Sequence, residues 1–314
     1  KNNVEEDQYK GATVIDPITG FYVDPIFTLD FTSLYPTIMI AHNFCYCTWI
    51  NPEDQNVKLL THQMYRINND QGVDHFAKQS VRIGVFPMVL EALLAARNKA
   101  KEMVKKHGKT PKGKMYDLRQ LALKLIANGG YGMAGAKKGL LALRAISASV
   151  TRIGREGIDT VAQVATRPYL PFPRSFVEFA DQYHARVKTK DWPMDPMKHK
   201  PEEVEAVRMA YLKNRLVESS EQYEKRCQEA RAAYPIPRLP DETLEQHRDR
   251  ILETIDFVYG DTDSIMVLCK KCKTAEDAMK LGKAMALWIT KYFFHPPMAI
   301  LFEKIYWPFI LFAK

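Results

Sequence analysis

Near the C-terminal end, Phe257-Val258-Tyr259-Gly260-Asp261-Thr262-Asp263-Ser264-Ile265-Met266-Val267 sets two carboxylates between two apolar, strand-like segments. Val, Tyr, Ile and Met favour extended backbone and Gly-Asp-Thr favours a tight turn, so the run predicts a β-hairpin with both acids at its tip. Two carboxylates that close repel unless a proton or a cation lies between them. The plain alternative is that Asp is a common turn former whose side chain binds neighbouring backbone N–H groups.

The remaining 314-residue sequence bears on that choice. With 46% hydrophobic and 26% charged residues it can bury a substantial core, and one or two globular domains are expected. A net charge of +8, from 45 cations against 37 anions, points mildly to a polyanionic partner. No uninterrupted apolar run reaches the roughly 18 residues of a membrane span, and Lys1-Asn2-Asn3-Val4-Glu5-Glu6-Asp7 does not read as a secretory signal. Five cysteines is an odd number, which argues against a disulfide framework and for a soluble protein in a reducing, intracellular compartment. Cys45-x-Cys47 and Cys269-x-x-Cys272 could supply four sulfurs to zinc, but the pairs are far apart and the first lacks knuckle spacing.

Along the chain, Phe21–Val23 and Ile26–Phe31 read as strands, followed by a helix with Pro36 in its first turn. Residues 51–82 read as polar loop. Pro87 opens a long helix stopped by Gly108 and Pro111, a second helix is expected over Lys114–Ala127, and a third over Leu143–Thr166. Nine of the 18 prolines then fall within residues 168–240, around a charged helical stretch, Glu202–Ala233, which reads as an appendage packed lightly on the main body. The acidic hairpin, a helix over Thr274–Phe294 and a strand over Ile300–Phe312 complete the pattern.

Two further constellations stand out. Asp30 ends the strand Ile26–Leu29 and precedes Phe31-Thr32-Ser33-Leu34-Tyr35-Pro36, which places an acid beside helix N-terminal amides able to hold anions; the simple reading is an N-cap. On the long helix, at 100° per residue from Leu90, Arg97 falls at about −20° and Lys101 at about +20°, in line with the apolar stripe, whereas Lys99 and Lys106 fall on the far side. Snorkelling would explain those two cations without a ligand; an enclosed anion would also explain them. On the second helix Lys124, Asn128 and Tyr131 share one line, and the helix is expected to break at Asn128-Gly129-Gly130-Tyr131-Gly132. Two separated acidic centres and three inward cations are the composition that two-metal phosphoryl transfer on a triphosphate requires.

Asp30-Phe31-Thr32-Ser33-Leu34-Tyr35-Pro36, Lys124-x-x-x-Asn128-Gly129-Gly130-Tyr131-Gly132 and Tyr259-Gly260-Asp261-Thr262-Asp263-Ser264 resemble, in order, motifs A, B and C of the family B DNA-directed DNA polymerases. Gly11-Ala12-Thr13-Val14 and Ala41-His42-Asn43 resemble the eukaryotic delta-type and herpesvirus-type branch. The resemblance implies an α+β fold: a palm formed by residues 1–80, 136–166 and 257–314, a helical-hairpin fingers subdomain at 81–135 that closes on the nucleotide, and an insertion at 167–256 before motif C. It implies DNA-templated DNA synthesis, in a viral or eukaryotic-type genome and most naturally in the nucleus, with primer-template DNA, dNTPs and a processivity factor as partners. Asp30, the Phe31 carbonyl and Asp263 would hold two Mg²⁺ ions, with Mn²⁺ as a substitute and Asp261 supporting the site. Ser33 and Leu34 amides with Arg97, Lys101 and Lys124 would hold the triphosphate, and Tyr35 would exclude a 2′-hydroxyl. Asn128, Tyr131 and Gly132 would lie near the nascent base pair, and Lys314 would begin a DNA-binding segment.

The sequence departs from the family's pattern in three ways. Gly129 stands where a small polar residue is usual, the Pro-rich segment is long, and the chain lacks a starting Met and the expected exonuclease and thumb. Two other readings remain open: a DNA-binding fragment without catalysis, and a partner-binding module built on residues 168–240. Metal-dependent nucleotide binding separates the first from an enzyme.

Overall fold

The structure, a computed structural model, describes residues 11–12, 14–51, 63–69, 72–166, 168 and 220–312. In chain order, its first elements are β1 (Val14–Ile15), β2 (Gly20–Tyr22), β3 (Ile26–Phe31), α1 (Leu34–Ala41), β4 (Trp49–Ile50), β5 (Met64–Asn69), β6 (Gly72–Ala77), α2 (Val85–His107), α3 (Pro111–Ala134) and α4 (Arg144–Thr166). Then come α5 (Ser220–Ala232), α6 (Leu244–Thr254), β7 (Ile255–Asp261), β8 (Ser264–Cys269), α7 (Ala275–Phe293), β9 (Ile300–Tyr306) and β10 (Phe309–Leu311). Helices and antiparallel sheets coexist without βαβ alternation, which makes the class α+β.

The chain divides into two compact units: Ser33–Leu59 with Gln63–Ile153, preceded by Lys1–Gly11, and Ala12–Thr32 with Gly154–Lys314, joined by Leu60–His62. The second, the sheet unit, is built on a five-stranded antiparallel sheet of order β1-β7-β8-β3-β9. Strand β3 lies inside that sheet, so Ile26, Phe27, Thr28 and Leu29 are all buried and the strand shows a continuous apolar run instead of alternation. Helix α7 buries Ala278, Gly282, Met285, Ala286, Ile289 and Phe293 at helical spacing. Gly282 lets it approach closely: a Cβ there would stand 2.7 Å from the Phe302 ring and 3.1 Å from that of Phe27. Thr274 caps this helix, accepting from the Asp277 N–H at 3.1 Å.

The other, helical unit holds the α2–α3 hairpin, α1 and a three-stranded sheet of order β4-β6-β5. Between α2 and α3 the turn is closed by Thr110, whose hydroxyl accepts from Gly113 N–H at 3.2 Å, with Pro111 opening α3 where no amide is needed.

Several expectations change. Within the stretch read as loop, β5 and β6 form a hairpin in register from Met64↔Ala77 to Asn69↔Gly72; residues 52–62 lie outside the described ones. Helix α3 does not break at Asn128-Gly129-Gly130-Tyr131-Gly132 but runs through to Ala134. The described part of the Pro-rich region is not lightly attached: Trp288 Nε1 donates to the Ala230 carbonyl at 2.7 Å, Tyr234 hydroxyl donates to Ala165 at 2.5 Å, and Cys227, Ala230, Tyr234 and Ile251 are buried. Residues 169–219, with most of the expected helix 202–233, lie outside the described ones. The final strand is two strands, β9 in the main sheet and β10 paired with β2. Among the described residues no helix is long and apolar enough to cross a membrane.

Candidate functional site

In the sheet unit, strand register governs where the acids fall. Asp261 and Ser264 are paired partners closing the β7–β8 hairpin, leaving Thr262 and Asp263 as its two-residue tip. Thr262 has φ +52°, a backbone state that costs a β-branched residue energy and that a two-residue hairpin turn calls for. Asp30, on β3, is also opposite Ser264. Ser264 therefore has Asp261 on one flank and Asp30 on the other, and the Phe31 N–H donates to the Asp263 carbonyl at 2.8 Å. The two acidic sequences, more than 200 residues apart, meet at one end of the sheet.

The acids are not equivalent. Asp261 accepts from the Tyr259 hydroxyl at 3.0 Å on one oxygen and from the Thr262 hydroxyl at 2.9 Å on the other, so its own hairpin holds it. All three acids are half-buried. Among the described residues no group of three or more His, Cys, Asp or Glu side chains forms a metal cage. The donors offered are carboxylates and a main-chain carbonyl, the hard oxygens that suit a small divalent cation keeping several waters or phosphate oxygens of its own.

The helical unit gathers the cations. Arg97 Nη1 donates to the Ser33 hydroxyl at 2.8 Å. Ser33 precedes α1 at the N-cap with φ +51°, and its hydroxyl makes no cap to the helix; it receives Arg97 instead. Burial lowers the Arg97 pKa, and its Nε finds no hydrogen-bond acceptor among the described residues. Lys101 is also pushed down, first by partial burial and then by the neighbouring charges of Arg97, Lys124 and Lys105. Three of the sequence-predicted cations thus share one field. Lys101 departs from expectation in being exposed, so it does not continue the buried stripe; Pro87, Leu90 and Ala100 are the buried positions of α2. Lys105 was missed, although the same wheel puts it at about +60° from Leu90, beside Lys101.

Tyr35 and Tyr131 stack at 4.5 Å between centroids with their planes tilted 38°. Leu34 is buried at the start of α1, whereas Lys124, Asn128 and Gly132 are exposed along α3. The glycine pair of α3 divides by role. A Cβ on Gly130 would stand 2.2 Å from Phe86 Cζ, while one on Gly129 would meet nothing within 4 Å. Lys314 lies outside the described residues.

The candidate zinc site does not form: no group of three or more ligating side chains exists among the described residues, and Cys269 and Cys272 are joined as a disulfide at the end of β8.

A sequence profile of DNA polymerase family B matches residues 1–314. Among curated proteins, the chain is 33% identical over 308 residues to the DNA polymerase delta catalytic subunit of Dictyostelium discoideum, covering 98% of the chain and 20% of that protein. The subunit of the same name from Schizosaccharomyces pombe is 33% identical over 312 residues (99% and 22%), and that of Bos taurus 33% over 308 (98% and 21%). The chain therefore spans about a fifth of the length of these relatives. Since the profile runs from the first residue to the last, across both the acidic hairpin and the cationic helices, the chain belongs to DNA polymerase family B.

Proposed function

We propose that these residues carry out DNA-templated DNA synthesis, transferring a deoxynucleoside monophosphate from a dNTP to a primer 3′-hydroxyl. The observation that carries the reading is the strand register that brings Asp30 and the Asp261-Thr262-Asp263 tip to one end of one sheet. Asp30, Asp263 and the Phe31 carbonyl would hold Mg²⁺, or Mn²⁺ in its place, and Asp261, fixed by Tyr259 and Thr262, would support them. Ions held by these residues would supply Lewis acidity toward the 3′-hydroxyl and positive charge toward the pyrophosphate leaving group.

Everything else falls to the chain's own groups. Arg97, Lys101 and Lys124, with Lys105 nearby, offer cations to the triphosphate, and the amides of Ser33 and Leu34 at the start of α1 offer hydrogen bonds. The Tyr35 ring, held against Tyr131, would lie under the sugar and leave no room for a 2′-hydroxyl. Asn128, Tyr131 and Gly132 would face the nascent base pair, and Lys314 would contact DNA. In this reading the five-stranded sheet is the palm, the α2–α3 hairpin the fingers, and residues 167–256 an insertion. The setting is replication of a eukaryotic-type genome, cellular or viral, in a nucleus and with a processivity factor. The relatives carry the name DNA polymerase delta catalytic subunit, which supports the same assignment.

The test is primer extension by the full-length protein with Mg²⁺. Asp263→Ala should lower the rate by about a hundredfold or more, as for loss of a preorganised electrostatic group worth about 3 kcal/mol. Undiminished extension would reject the assignment.

A further inference from the structure

The N-terminus of α2 has an unusual cap. Its N-cap, Gly84, has no side chain to offer, and Pro87 has no amide, so the unpaired donors are the N–H groups of Gly84, Val85 and Phe86. Two of them are met by one short segment of the same unit. Gly84 N–H donates to Asn43 Oδ1 at 2.8 Å and Phe86 N–H donates to Cys45 Sγ at 3.4 Å. The two sulfurs are 3.3 Å apart.

We propose that Cys45 and Cys47 form a peroxide-oxidisable dithiol whose bridging withdraws the sulfur cap from the Phe86 amide at the start of α2. The chemistry divides between them by exposure. Cys45 is 3% exposed, whereas Cys47 is only half-buried and open to a small oxidant. Burial alone would raise Cys47, yet the Val85 amide, the Cys45 thiol and the Arg82 charge outweigh it and leave Cys47 below the ordinary thiol value; burial keeps Cys45 above it. The Cys47 thiolate attacks one oxygen of hydrogen peroxide, the O–O bond breaks, and the hydroxide released takes a proton and leaves as water. Cys45 sulfur then attacks the Cys47 sulfenic acid, an S–S bond replaces S–O, and the proton of Cys45 leaves with the second water. Both sulfurs are oxidised and both peroxide oxygens reduced.

Closing the sulfurs from 3.3 Å to the roughly 2.05 Å of a disulfide shifts Cys45 Sγ, the acceptor of the Phe86 amide, toward Cys47. The effect reaches α3, because the ring of Phe86, whose amide Cys45 holds, packs against Gly130. This inference stands on the helix cap and does not depend on the polymerase reading.

The test is peroxide treatment of the full-length protein, alkylation of the remaining thiols, and mass analysis of the peptide holding residues 45 and 47. That peptide should lose two hydrogens, reversibly with dithiothreitol and on the order of tenfold faster folded than in urea, since the thiols are preorganised. Hydrogen exchange at Phe86 should quicken on oxidation, and should not change on peroxide treatment of Cys45→Ser or Cys47→Ser. The separate peptide with Cys269 and Cys272 is read independently. Two thiols still alkylatable after peroxide, a bridge forming no faster folded than unfolded, or unchanged exchange at α2 would each overturn the proposal.

Discussion

The ring of Phe86, in the first turn of α2, occupies the space where Gly130 of α3 would otherwise carry a side chain, 2.2 Å from the ideal Cβ position. Its neighbour Gly129 faces open space. These two adjacent glycines therefore answer to different causes, one to packing and one to nothing visible around it.

Gly130→Ala should accordingly destabilise the folded chain by about 1–3 kcal/mol through overpacking. Gly129→Ala should stabilise it by up to about 1 kcal/mol, the helix-propensity difference. Urea titration of both variants checks the contrast, and equal effects would show that Phe86 moves aside freely.

Asp263 and Asp261 should differ in kinetics. Because Tyr259 and Thr262 hold Asp261 with neutral hydrogen bonds, Asp261→Asn is expected to cost about tenfold or less in primer extension, against a hundredfold or more for Asp263→Asn. Single-turnover extension by the full-length protein measures both, and a larger loss at Asp261 would reverse their assigned roles.

Tyr35→Ala should raise ribonucleotide incorporation relative to deoxyribonucleotide by about tenfold or more, corresponding to at least about 1.4 kcal/mol of lost discrimination. Tyr35→Phe keeps the ring that meets Tyr131 at 4.5 Å and should preserve the sugar preference. Competition between rNTP and dNTP during extension decides it; an unchanged ratio in the Ala variant would remove Tyr35 from sugar selection.

Lys78 carries a pH dependence of its own. It is 1% exposed, and burial pushes its pKa from 10.5 down to about 8, while its ammonium lies 5.4 Å from the Tyr65 ring centre. Between those two values the unfolded chain binds more protons than the folded one, so stability rises with pH across that window. Below pH 8 the full penalty is present, so Lys78→Met should be more stable than wild type at pH 7 by about 2 kcal/mol, allowing for the lost ring contact. Chemical denaturation from pH 7 to 10.5 should show that gap closing, and a constant gap would refute the assignment.

Much of the local structure was legible beforehand. The apolar run Ile26–Phe31, the Gly-Asp-Thr-Asp turn and the Gly108/Pro111 stop signals act through backbone preference within a few residues, and the strands, hairpin and helix ends fall where those preferences put them. Arg97 could be selected from a helical wheel because a helix repeats its geometry regularly, whereas Lys101, selected on the same ground, is exposed. What could not be read depended on partners distant in sequence. The β5–β6 hairpin lacks a strong alternation, and its β6 strand also pairs with β4. Helix α3 continues through Gly129, Gly130 and Gly132, whose local preference is to stop it, and within it Gly130 is the residue whose missing side chain admits Phe86. Ser33 was expected to supply only its amide, and only folding across 64 positions turned its hydroxyl into the acceptor for Arg97. The acidic residues and their turn were determined by the sequence itself. Their meeting with Asp30 was decided by β3 taking its place beside β8, because strand pairing joins segments by hydrogen bonding and burial regardless of their separation along the chain.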